Sequence, residues 1–269
     1  MSQAMGSLTN APLAFVLAQV RVLLPSTFNR SEVSQAMHGD LFPHFPRKQE
    51  ITSQRLVIEA DGSPVVQSGE VITSLASLDH HEELLITPSF LSLQATRYES
   101  YPVFTRRLSE VVRAMFQHFG PLAIQQVGLR YIDFVYPRIG EQLTEYLPAA
   151  ASLVELPGTI AETCLRAADL TLHNARAVIR ITQGIGRASL PADLGPLLSL
   201  APSAIMARDP GLVPTAVLDI DCFTNVNMQE LTDPDAVMRR FQKLHDEVAA
   251  SVFQRLVTDK AMSYWKEQS

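Results

Sequence analysis

The sequence has few of the residues that mark disulfide-stabilised, membrane-spanning or nucleic-acid-binding proteins. Its 269 residues include only two cysteines, too few for a disulfide framework. No run reaches the ~18 apolar residues that a membrane span requires. Acidic residues outnumber basic ones by 28 to 22, and the formal net charge is −6. Residues 1–9 are small and polar, and Arg21 interrupts the apolar run that follows, so no signal peptide is predicted. We therefore expect a cytoplasmic protein that has no membrane segment and does not bind nucleic acid.

Hydrophobic residues make up 46% of the chain, which suffices for one large domain or two closely packed ones. Alternation of apolar and polar residues predicts strands, and apolar residues at helical spacing predict helices. The predicted strands are 13–24, 50–59, 69–78, 83–95, 121–137, 161–173, 175–183 and 213–223. The predicted helices are 31–39, 101–119, 141–146 and 234–257. Pro88 is expected to bend or split the strand 83–95.

The segment 121–137 repeats the pattern of 12–25 without a gap. Pro-Leu-Ala opens both segments, and Arg21 aligns with Arg130. The pattern predicts an α+β fold made of two pseudo-repeats, 1–120 and 121–269, each consisting of strand, helix, three strands and helix. We expect a mainly antiparallel sheet with the long helices on one side, and a ligand site in the cleft between the repeats. The segment 189–214 contains five prolines, so it is expected to be a surface insertion without regular structure.

Several motifs resemble a bacterial family that is sporadically distributed and uncharacterised. They are the N-terminal NAPLAFVLAQVRV, the tyrosine-rich start of the helix 101–119, GLRYID at 128–133, LDID at 218–221 and the C-terminal LVTDKAMSYW. The family motif is similar to GLRYIN, so Asp133 stands where most members have Asn. The resemblance implies one bacterial cytoplasmic protein, and the scattered distribution of the family implies a defence or mobile-element gene system.

Arg130 is the strongest single candidate for a binding residue. Period-two geometry places it on one strand face with Gly128, Ile132 and Phe134, where a charge needs a partner. A bound anion would supply that partner, and Gly128 would let the anion approach the backbone. An internal carboxylate would serve equally well, and Glu99, Asp219 and Asp221 are available.

Three other patterns have a functional and a structural interpretation. His80 and Glu82 share a strand face and could bind a metal ion, but two ligands are too few, and a polar turn is the alternative. The segment 183–187 resembles half of a phosphate-binding loop, but it has no following helix, so a plain loop is the alternative. The aromatic residues at the start of and along the helix 101–119 fit a hydrophobic core and also a ligand cage.

These patterns predict a non-enzymatic binding or accessory protein. Its partner would be another protein or a small anionic ligand bound between the repeats, and the predicted ligand-binding residues are Arg21, Gly128, Arg130 and Tyr131. No catalytic residue, metal ligand or cofactor is predicted. The alternatives are a metal-dependent hydrolase or nuclease that uses Asp219 and Asp221, and a structural subunit that exposes an apolar patch near 189–214.

Overall fold

The computed structural model describes residues 11–24, 28–58, 64–119, 122–148, 163–194, 199–225 and 233–266. The strands are β1 (Leu13–Leu23), β2 (Arg47–Ile58), β3 (Pro64–Ala76), β4 (Glu82–Ile86), β5 (Phe90–Ala95), β6 (Ala123–Val135), β7 (Thr163–Leu172), β8 (Ala175–Ile185) and β9 (Pro214–Asn225). The helices are α1 (Arg30–Leu41), α2 (Tyr101–His118), α3 (Ala204–Ala207), α4 (Pro234–Lys243), α5 (Ala250–Leu256) and α6 (Asp259–Lys266). A 3-10 turn spans Leu143–Glu145, and a π-helical turn, Leu244–Ala249, joins α4 directly to α5.

The nine strands form one sheet in the order β2-β3-β4-β5-β1-β6-β9-β8-β7. Every neighbouring pair is antiparallel, and β1 lies beside β6 near the centre of the sheet. The predicted α+β class with a large antiparallel sheet is therefore confirmed. None of the helices in the described part of the chain is long and apolar enough to cross a membrane.

The alternation of side chains in β1 explains why this strand is central. Val16, Ala18, Val20 and Val22 are buried on one face, whereas Arg21 on the other face is exposed. β-Branched and small apolar side chains suit a strand that is paired on both edges and covered by a hydrophobic layer.

The predicted strand 83–95 is two strands in the structure. β4 and β5 form a tight hairpin, and Pro88 lies in the turn between them. Because proline has no backbone N–H to donate to a ladder, the chain turns there rather than continuing. The predicted strand 50–59 also begins earlier, at Arg47, where it pairs with Ala76.

Two hydrophobic clusters stabilise the fold. The larger one joins the buried valines of β1 with side chains of α1, α2, α4, α5 and α6. The smaller one lies on the opposite face of the sheet and includes Phe15, Ile132, Phe134, Val217 and Leu194. Leu194 belongs to the predicted surface insertion, so the described part of that insertion packs on the sheet instead of projecting into solvent. It also contains the helical turn α3, which the prolines of the sequence did not predict.

Candidate functional site

A half-open cavity of ≈110 Å³ lies between the central strands, the start of α2 and the helical segment that contains the π turn. Its walls come from both halves of the chain: residues 11–13 and 98–101 from the first half, and side chains of β6, β9, the π turn and α5 from the second. Six of the lining residues are titratable: Tyr98, Glu99, Tyr101, Tyr131, Asp133 and His245. A space of this size accommodates several waters or one small organic molecule.

The strand geometry of β6 sends alternate side chains to opposite faces of the sheet. Tyr131 and Asp133 line the cavity, whereas Ile132 and Phe134 belong to the cluster on the other face. A register shift in the pairing of β1 with β6, between Leu13 and Phe15, lies beside Asp133. The end of β1 that borders the cavity therefore departs from regular pairing.

His245 and two tyrosines form the best-defined contacts of the site. The Tyr101 ring stacks on the imidazole, with the ring centroids 3.6 Å apart and the planes at 7°. The Tyr131 hydroxyl oxygen lies 3.1 Å from Nδ1 of His245, and the Tyr98 ring meets the Tyr131 ring edge-on at 6.4 Å. These contacts fix the orientation of four aromatic side chains, His245 and the three tyrosines, before any ligand binds.

The Tyr101 hydroxyl is a buried polar group that no residue in the described part of the chain hydrogen-bonds. Tyr101 is only 8% exposed, and its hydroxyl makes no hydrogen bond to any residue of the described ranges. Leaving such a group unsatisfied costs roughly 1–3 kcal/mol. A polar ligand in the cavity would offer a partner to this hydroxyl.

The π turn positions His245 at the cavity wall. The backbone N–H of Ala250 donates to the carbonyl of His245, which is the five-residue spacing of a π helix. The wider turn is an uncommon feature of helices and occurs often at functional sites. Here it places His245, Ala249 and Ala250 together on the cavity lining.

Burial determines the charge state of the lining. It raises the pKa of Asp133 to about 8 and lowers the pKa of His245 to about 4. It also raises the pKa of Tyr98, Tyr101 and Tyr131 above the ordinary phenol value. At pH 7 the imidazole and the three phenols are therefore uncharged, and most Asp133 side chains carry a proton.

The predicted residue Arg130 lies on the other face of the sheet, where it binds carboxylates of the chain. Its Nε and Nη2 donate to the two oxygens of Asp219, each at 2.8 Å, and its Nη1 donates to Asp193 at 2.6 Å. Burial alone would lower the pKa of Arg130, but the hydrogen bonds to Asp219 and Asp193 raise it instead. Of the two partners considered for Arg130, the structure thus has the internal carboxylate. Asp193 belongs to the insertion, and the sequence did not predict it as a partner of Arg130.

The other predicted residues divide between the two faces. Arg21 is exposed and pairs with Gln126 of β6, four positions along that strand from Arg130. Gly128 lies on the same face as Arg130, and a Cβ added there would meet Phe223 at an ordinary 3.5 Å, so no close approach requires glycine. Of the four predicted ligand-binding residues, Tyr131 is the one that lines the cavity.

Asp219 and Asp221 are the carboxylates of the hydrolase alternative, and arginine side chains bind Asp219. The Asp219 side chain is 2% exposed. It accepts hydrogen bonds from Arg130 and from Arg180, and the bond from Arg180 is 3.1 Å long. Burial raises the pKa of Asp221. Within the described ranges, no three His, Cys, Asp or Glu side chains lie close enough together to hold a metal ion. His80 lies in a turn with φ +57°, and its carbonyl accepts from Ala201 of the insertion.

The insertion covers a second group of buried polar side chains. Glu83 is fully buried and accepts from Ser74, from Gln94 and from Ser199 of the insertion. Thr96 donates to the carbonyl of Ala201 at 2.7 Å. The described part of the insertion is therefore held to the sheet by hydrogen bonds as well as by Leu194.

The sequence matches no protein-family model and no curated protein. The likeness of its motifs to the sporadic bacterial family therefore stays a prediction.

Proposed function

We propose that this chain is a non-enzymatic binding protein that holds a small ligand in the cavity between residues 1–120 and 121–269. The observation that carries the proposal is the buried Tyr101 hydroxyl, which has no hydrogen-bond partner among the described residues and lines a cavity whose other aromatic groups are already oriented. Sites that bind small molecules are concave and mostly apolar, with a few convergent polar groups. The cavity has this composition, because alanine, leucine, isoleucine and phenylalanine side chains surround its polar residues.

Binding fits the lining better than catalysis does. Burial keeps the phenols of Tyr98, Tyr101 and Tyr131 protonated, which makes them hydrogen-bond donors and poor nucleophiles. The imidazole of His245 is occupied by the Tyr101 ring and the Tyr131 hydroxyl. Such groups select and orient a ligand without forming a bond to it.

An anion site on the other face is a second form of the proposal. Arg21, Gly128 and Arg130 share that face, and the Asp193 side chain that binds Arg130 is 61% exposed. An anion could replace this exposed carboxylate while Asp219 keeps its own two hydrogen bonds to the guanidinium. We favour the cavity because the buried Tyr101 hydroxyl has no partner within the described ranges, whereas Arg130 has two carboxylate partners.

The strand order is compatible with the proposed duplication. β1 and β6 are neighbours, and after each of them the chain crosses to an edge strand, β2 or β7, and returns inwards through the strands that follow, four strands in the first half and three in the second. We propose that 1–120 and 121–269 are two repeats related in this way, with α2 and the α4–α5 segment laid on one side. An accessory role in a bacterial defence or mobile-element system, with a partner protein, belongs to the same proposal and derives from the resemblance of the motifs.

Native mass spectrometry of the purified protein tests the proposal. The wild-type chain is expected to retain a small molecule, or to bind members of a fragment library. The variant Ala250→Trp is expected to bind none, because the indole fills the cavity. Ala207→Trp, at an exposed position of α3, is the matched control and should behave like the wild type. Equal retention by both variants would place the ligand elsewhere, and no binding of any compound to the wild type would contradict the proposal.

A further inference from the structure

Two carboxyl groups line the cavity. Asp133 lies within it, and exposed Glu99 lies in the segment just ahead of α2. Neither lysine nor arginine is found among its lining residues in the described part of the chain. When these carboxyls are ionised, the lining repels anions and attracts cations.

The aromatic groups of the cavity also favour a cation. Three tyrosines and Phe253 contribute ring surfaces to its walls. The face of an aromatic ring carries partial negative charge, and cages of such rings are the usual binding sites of quaternary ammonium groups in proteins. An uncharged apolar ligand would use the rings equally well, but it would gain no attraction from an ionised Asp133, whereas a cation would.

On the basis of the proposed function, we propose that the ligand is a small organic ammonium ion whose charged group lies beside Asp133 and against the tyrosine rings. Asp133 is 3% exposed, so a cation bound next to it would meet little screening by solvent. The Tyr101 hydroxyl can then donate to a polar substituent of the same ligand.

Binding of such a cation is coupled to the release of a proton. Burial alone raises the pKa of Asp133 to about 8, so the carboxyl is mostly neutral at pH 7. An ammonium ion stabilises the carboxylate, and the proton of Asp133 passes to the solvent as the ion pair forms. The other titratable groups of the cavity lining are Tyr98, Glu99, Tyr101, Tyr131 and His245. The tyrosines and the histidine stay uncharged between pH 6 and 9, since their pKa values lie outside that range.

Calorimetric titration with choline and with its uncharged isostere 3,3-dimethylbutan-1-ol tests this inference. Choline has no ionisable ammonium proton, so a pH dependence of its affinity reports the protein. If only the ionised form of Asp133 binds choline, the apparent affinity rises about ninefold from pH 6 to 7, about fivefold from pH 7 to 8 and about twofold from pH 8 to 9. Titrations in two buffers with different ionisation enthalpies should show about 0.9 proton released per choline at pH 7.

The variant Asp133→Asn is expected to lose this pH dependence and to prefer choline over the alcohol less strongly. Asp246→Asn is the matched control, because Asp246 is exposed on the same helical segment as His245. If the Asp133→Asn variant does not fold, the number of protons that the wild type releases per bound choline still tests whether Asp133 ionises on binding.

Equal affinity for choline and the alcohol, binding of neither compound, or choline binding without proton release would overturn the assignment of a cation. None of these results bears on whether the cavity binds other molecules, which the native mass spectrometry of the tryptophan variants decides separately.

Discussion

Replacement of Asp133 by asparagine should make the protein more stable at neutral pH. The carboxyl is buried beside the tyrosine-rich cavity, and its pKa is about 8 in the folded chain against an ordinary value of 3.8. The folded state therefore keeps a proton that the unfolded state loses between these two pH values. The stability that this proton provides is complete below pH 3.8 and disappears as the pH rises through 8.

The size of the effect follows from the pKa difference. Each unit corresponds to about 1.36 kcal/mol, so the wild type loses up to about 4 kcal/mol between pH 3.8 and pH 7 through Asp133 alone. Asparagine has nearly the same shape and does not titrate. The variant should therefore be similar to the wild type near pH 4 and more stable by up to about 4 kcal/mol at pH 7.

Urea denaturation at several pH values measures this difference. Subtraction of the wild-type free energy of unfolding from that of the variant cancels the other titrating groups, and the remainder should grow with pH. Asp246→Asn, at an exposed position of the helical segment that contains His245, is the matched control. A difference between Asp133→Asn and wild type that stays constant from pH 4 to 8 would refute a raised pKa for this carboxyl.

Other substitutions should lower the free energy of unfolding, measured with denaturant, by more at buried contacts than at exposed ones. Arg130→Met should destabilise the protein by about 3–5 kcal/mol, because it leaves the buried carboxylate of Asp219 without its main partner. Asp193→Asn should cost less than about 1 kcal/mol, since that side chain is largely exposed; equal losses for both would contradict the assignment. Tyr131→Phe should cost about 1 kcal/mol through the lost hydrogen bond to the imidazole. Tyr101→Phe should be neutral or stabilising because its hydroxyl has no partner in the described ranges, and a loss similar to that of Tyr131→Phe would contradict this.

The parts of the fold that follow from local periodicity were predictable. The alternation in β1 and the helical stripe of α2 each set one buried face, so their positions follow from the residues themselves. The split of the strand 83–95 at Pro88 has the same kind of local cause, because a proline in a ladder lacks a donor. The π turn is different, since an apolar stripe spaced by three and four residues fits a helix with or without one wider turn.

The candidate site was predictable only in part, because its residues meet through tertiary structure. Asp133 and His245 lie 112 positions apart in the sequence, and nothing around His245 marks it as part of a site. Alternation along β6 does place Asp133 on the buried face with Tyr131, and an acidic residue at such a position is a signal that a search for charged residues in apolar stripes would detect. The partner of Arg130 on the insertion had no such signal, since an irregular segment has no period that assigns its side chains to a face.

Nuclear magnetic resonance of ring-labelled tyrosines tests the cavity most directly. The chain has six tyrosines, of which three line the cavity and three do not, so the second set is an internal control. Titration with choline and with a library of small-molecule fragments should yield a compound that shifts the ring signals of Tyr98, Tyr101 and Tyr131 and leaves those of Tyr136, Tyr146 and Tyr264 unchanged. Compounds that shift only the control tyrosines, or a library in which none shifts the three cavity tyrosines, would contradict the proposal that this cavity binds the ligand.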